Sequence, residues 1–166
     1  MVELTPLERL QPALLDRLTD DEPGNRQEAR ERRVLSMQRL RAAVLRDLEW
    51  LFNTVRLDAL EDLGAHPQAR ASVINYGMPA LTGAAISNLE LAALERRVRE
   101  AIIAFEPRIL PKTLKVEVLS NDADATMRGL SFSISGELWA QPLPVQIFLR
   151  SDIDLESGEA RIKPSD

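Results

Sequence analysis

Few residues in this chain of 166 belong to types that could do chemistry. There is no cysteine, which removes disulfides, thiolate metal sites and a cysteine nucleophile. His66 is the only histidine and stands beside a proline in a polar stretch, so neither a metal site nor a cofactor is expected. A catalytic triad would need it, and no Gly-x-Ser-x-Gly turn supplies the nucleophile. That leaves carboxylates. Asp47 and Glu49 lie two apart on a helical pattern, where side chains point to different sides, and read as surface groups. Glu106 is followed by Pro107 and Arg108. This triplet reads either as a helix stop with a solvated or locally paired ion couple, or as an interaction site. A glycoside hydrolase would need two carboxyls across a cleft, one of them protonated. Arg108 favours the charged form of Glu106 instead, and the 4% aromatic content leaves few rings to stack on sugars. No catalytic residue is expected.

The elements around the triplet place it at a corner. Ser87 to Glu90 has the form of a capping box. Leu91, Leu94, Val98, Ile102 and Phe105 then recur at helical spacing, opposite Glu95, Arg96, Arg97, Arg99 and Glu100. Pro107 ends that helix and biases Glu106 towards extended geometry. Beyond it the period falls to two, as Leu114, Val116 and Val118 alternate with Lys115 and Glu117 in a strand over 113–119.

Elsewhere, Val34, Met37, Leu40, Val44, Leu48, Leu51 and Val55 predict a long helix over 26–54. Its arginines are interleaved with acids, the mark of a solvated face. Leu14, Leu15 and Leu18 form a short apolar island ahead of the acidic, turn-rich stretch 19–25. The island either folds back on its own domain or docks on a partner. Residues 1–25 are thus expected to be an extension, and 26–166 a single domain. In the connection 56–86, Leu57, Leu60 and Leu63 suggest a short helical turn, and Val73, Ile74, Tyr76 and Leu81 are available to pin the loop to the core. Strands follow at about 130–138 and 145–155, with a turn at Ser120–Asp124 and a short last run at Ala160–Ile162. Helices first and an antiparallel meander of three or four strands afterwards predict an α+β domain, with the long helix and a second core helix on one sheet face. The last strand lies at an edge that can accept a strand from another subunit. Net charge is −5 and the pI about 5.1, which argues against nucleic acid. No run of about 20 apolar residues spans a membrane, and a soluble intracellular protein is expected.

Five short motifs in order resemble TssE, the baseplate subunit of type VI secretion systems, and the related wedge proteins of contractile phage baseplates. They are Leu14 to Leu18, Asp47 to Thr54, Ser72 to Leu81, Phe105 to Arg108, and the closing hairpin Ser151 to Ile162. Ala80 departs from the aspartate usual there, and 55–64 fits poorly. The resemblance implies structural work rather than catalysis: a cytoplasmic subunit in a membrane-docked baseplate, beside TssF, TssG and TssK, that templates the contractile sheath of TssB and TssC. It implies no cofactor, small-molecule substrate, nucleic acid or membrane insertion. The triplet is the family's signature, so Glu106, Pro107 and Arg108 carry over as partner-binding residues, with Leu14, Leu15 and Leu18 of the N-terminal island. A lysozyme-like hydrolase using Glu106 and an unrelated cytoplasmic adaptor are the alternatives.

Overall fold

A computed structural model of the chain describes residues 13–19, 24, 37–79, 88–119, 129–140 and 143–165. Ser87 and the side chains of 88–90 that would complete the capping box, most of the acidic stretch 19–25, the long helix before Met37, Leu81 and the turn at Ser120–Asp124 lie outside the described residues. A short helix α1 spans Leu14–Leu18. Helix α2 spans Met37–Phe52 and buries Leu40, Val44, Leu48 and Leu51, with Ala43 and Phe52 beside them. Val55, assigned to the same stripe, lies beyond the helix end and is exposed, because the chain turns away after Phe52. After a short α3 (Pro67–Arg70), helix α4 runs Asn88–Phe105. It buries Val98, Ala101 and Ile102 and rests Leu91, Leu94 and Phe105 on the same core. It ends one residue before Glu106, where Pro107 requires it to.

Four strands follow as a meander: β1 (Lys115–Leu119), β2 (Gly129–Leu138), β3 (Val145–Asp154) and β4 (Ala160–Pro164). They form one antiparallel sheet in the order β1-β2-β3-β4. Alternation sorts the two faces. Val116, Phe132, Ile134, Leu149 and Ile153 face the helices and are buried. Lys115, Ser133, Ser135 and Arg150 share the opposite face, one row over from each of them in register. The α+β architecture predicted from the sequence is the one found, with α2 beside β4 and α4 beside β1.

The connection from α2 to α4 is pinned only partly as the sequence reading has it: Tyr76 rests on the core. Val73 and Ile74 are 80% and 65% exposed and hold nothing down. Asn75 does that work. It is 1% exposed, accepts from the Asp58 N–H at 3.0 Å, and donates to Asp58 Oδ2 and the Arg70 carbonyl. Three residues on, Met78 donates to the Thr54 carbonyl at 2.7 Å and accepts from the Arg56 N–H at 3.0 Å. Gly77 has φ +130° between them, and a Cβ there would stand 2.4 Å from the Thr54 carbonyl oxygen, so only glycine fits. Among the described residues no helix is long and apolar enough to cross a membrane.

Candidate functional site: an ion-paired corner

The turn after α4 is stitched to the far end of β2. Ile109 donates to the Glu106 carbonyl, Leu110 to the Glu137 carbonyl at 2.8 Å, and Trp139 to the Arg108 carbonyl at 2.7 Å. The backbone of the corner is therefore fixed before its side chains are considered.

Those side chains join a chain of alternating charge. Glu106 is 2% exposed. Arg108 grips it with two parallel bonds, Nε to Oε1 at 2.6 Å and Nη2 to Oε2, and its own backbone N–H donates to Oε1 at 3.1 Å. Arg108 Nη2 also donates to Asp47 Oδ2 at 2.6 Å, tying the corner to α2. Asp47 Oδ1 accepts from Arg46 Nε at 2.9 Å, and Arg46 Nη1 donates to Asp16 on α1. Two arginines thus sit between three carboxylates, in the order Asp16, Arg46, Asp47, Arg108, Glu106. Burial opposes the charge on Arg108, but the bonds and charges of Glu106 and Asp47 outweigh it and raise its pKa above the ordinary guanidinium value. Arg46 is raised too, first by its bond to Asp16.

An apolar layer backs the ions. The Tyr76 hydroxyl donates to the Asp47 carbonyl at 3.3 Å, and its ring meets Phe105 edge-on with centroids 5.1 Å apart. Burial, then the charges of Asp47 and Glu106, push the Tyr76 pKa up. The Arg46 guanidinium lies 5.1 Å from the Trp50 ring centroid, within cation–π range. A groove of about 430 Å³ opens beside the corner, lined among others by Leu15, Trp50, Leu51, Phe105 and Pro107.

The structure brings the two groups of sequence-predicted residues together. Of the two readings of the N-terminal island, folding back is the one seen: Asp16 pairs with Arg46, and Leu15 lines the groove. Leu14 and Leu18 point away and are 69% and 73% exposed. That contact is lightly held. Asp16 Oδ2 and Arg46 Nη2 are buried without a hydrogen bond, the latter 2.8 Å from Asp47 Oδ1 but off the bonding direction. Asp47 corrects the sequence reading of a surface carboxylate, since it bridges both arginines. Its position on the seam facing residues sixty further along the chain gave no local signal. His66 has no metal-binding company: among the described residues no cluster of three or more His, Asp or Glu side chains could hold an ion.

A carboxylate sealed by a bidentate guanidinium under a stitched turn is a structural clamp. The family model for baseplate wedge protein gp25 matches residues 38–143, more than half of the chain. The chain belongs to the baseplate wedge gp25 family, whose members are structural proteins of phage-tail-like baseplates and bind other baseplate proteins. Among solved structures, a Geobacter sulfurreducens protein given the provisional name of a tail lysozyme is similar at 16% identity over 80% of this chain and 96% of that one, with a TM-score of 0.42. A likeness at that level says nothing about chemistry. No curated protein matches significantly.

Proposed function

We propose that this chain is the TssE-type wedge subunit of a type VI secretion baseplate, docking on TssF and TssG with TssK nearby and helping to template the TssB–TssC sheath from the cytoplasmic side of a membrane-docked assembly. Membership of the wedge family supports the general role. The observation that carries the docking reading is the division of labour at the corner. Glu106 and Arg108 are spent on each other and shape the surface, while Pro107, Trp50, Leu14 and Leu18 remain open to a partner beside the groove. The buried atoms left without bonds under α1 suit a segment that a partner can engage or lift. The lysozyme-like alternative is poorly served by the same geometry. A general acid must reach the scissile oxygen, and both oxygens of Glu106 face Arg108.

The test is a co-expression pull-down with TssF and TssG from the same genome. Leu14→Glu/Leu18→Glu changes exposed residues only and is expected to keep the fold and lose the wedge. Glu106→Ala/Arg108→Ala is expected to lose both stability and binding. If the first variant captures the wedge like wild type, docking through α1 is refuted. If wild type captures nothing, the baseplate role itself fails and an unrelated adaptor takes its place.

A further inference from the structure

An antiparallel sheet of four strands has two edges, and each edge strand turns alternate backbone groups outward where another chain could pair with them. On β4 the pairs Asp152↔Arg161 and Arg150↔Lys163 face inward, and Ser165 donates to the Phe148 carbonyl at 2.8 Å. The outward residues are therefore Ala160, Ile162 and Pro164. Pro164 has no N–H to offer. Ala160 is already taken. Asn53, one residue past the end of α2, accepts from the Ala160 N–H at 2.9 Å and donates to the Ala160 carbonyl at 2.8 Å. The Asn53 amide also donates to the Glu49 carbonyl at 2.8 Å, which holds it on the last turn of α2. It thus occupies the place a neighbouring strand would take. Among the described residues, only the N–H and carbonyl of Ile162 are left without a partner in the centre of this edge.

The opposite edge is treated in the same way from α4. Glu95 accepts from the outward N–H of Val118 at 2.8 Å, and Arg99 donates to the Leu114 carbonyl at 3.1 Å. Helix side chains thus close both edges at alternate outward positions.

We propose that Asn53 is an edge lock: its side-chain amide keeps β4 from accepting a strand, and its release lets a second copy of this chain add through β4, antiparallel about a two-fold axis at Ile162. The choice of a second copy follows from the edge itself. About that axis the Ile162 N–H and carbonyl of each copy meet those of the other, a self-complementary pair. The Ala160 N–H of each copy then faces the Pro164 carbonyl of the other. With Asn53 in place only the two Ile162 bonds can form. Without it the two Ala160 bonds join them, doubling the ladder. This edge lies apart from the Glu106 corner, and its behaviour in the isolated chain does not depend on any wedge partner.

The experiment is sedimentation of the full chain over a concentration series, with hydrogen exchange read at single amides. Asn53→Ala is expected to self-associate roughly ten- to a hundredfold more tightly than wild type, as two further ladder bonds would give. Adding Ile162→Pro, which removes an outward N–H and no bond to β3, is expected to return the monomer. An Asn53→Ala variant that remains monomeric wherever wild type does overturns the proposal. So does a dimer that survives Ile162→Pro, because its contact lies elsewhere. Wild type provides an arm that needs no variant to fold: the Ala160 amide must exchange more slowly than that of Ile162, and equal rates would mean that no lock exists.

Discussion

Replacing Arg108 by alanine separates what the guanidinium does for the fold from what it does for a partner. Glu106 is almost fully buried, and the Arg108 guanidinium supplies two of the three hydrogen bonds found on its carboxylate. Removing one member of a buried pair strands the other, at a cost of about 3–5 kcal/mol. Two features reduce that here. The Arg108 backbone N–H still reaches Oε1, and the guanidinium is 22% exposed, so water can follow its loss. We expect about 2–4 kcal/mol of destabilisation, read as a lower urea midpoint at constant slope. For a chain of this size that is a fall in melting temperature of roughly 5–15 °C. Glu106→Gln/Arg108→Met removes both charges together and is expected to recover part of the loss, since no buried charge is left behind. A single variant that melts within 2 °C of wild type, on the scale where 1 kcal/mol is worth about 2–4 °C, would refute the reasoning. A double variant less stable than the single one would do so as well, by showing that lost packing dominates.

Gly77→Ala puts a methyl 2.4 Å from the Thr54 carbonyl oxygen at a φ that alanine avoids, and should cost about 2–4 kcal/mol in urea unfolding. Asp47→Asn weakens the bonds of both arginines and should cost about 1 kcal/mol, and less than that when added to Arg108→Ala because the two share one network. Asp16→Ala should free α1, speeding tryptic cleavage after Arg17 and altering Trp50 fluorescence, with less than about 1 kcal/mol of global effect because the pair is partly exposed. Asp152 is pushed up by burial and pulled down further by Arg150 and Ser131, so its folded pKa lies below the usual value. Its contribution is present above the unfolded pKa and is lost as pH falls through the folded one. Because Asp152 is 44% exposed, Asp152→Asn should remove only a few tenths of a kcal/mol of the acid sensitivity, measured as the urea midpoint at pH 6 against pH 3.

Periodicity made the two-layer plan legible. The step from 3.6 to 2 across Pro107 located α4, the corner and β1 within two residues, because each pattern buries one side of a regular element. Hydrophobicity misled where the loop is held by polar atoms. Val73 and Ile74 looked like anchors, yet Asn75 is buried between them and Tyr76, satisfied by Asp58 and Arg70. The corner was legible as a triplet and illegible as a network. Arg108 meets Asp47 from 61 positions away, and Asn53 meets Ala160 from 107, so neither pairing leaves a trace in local spacing.

The bonds from Asn53, Glu95 and Arg99 have a mechanical consequence. Helices laid on a sheet are ordinarily held by apolar contact, which is non-directional and resists sliding only weakly. Here α2 is hydrogen-bonded to β4, α4 to β1, and the two helices touch each other, while the strands are laddered from β1 to β4. The linkage forms a closed ring around the core, so a pull on either edge strand must break directional bonds before the layers can shear. A baseplate component built this way hands displacement on to its neighbours as a stiff spacer and absorbs little of it.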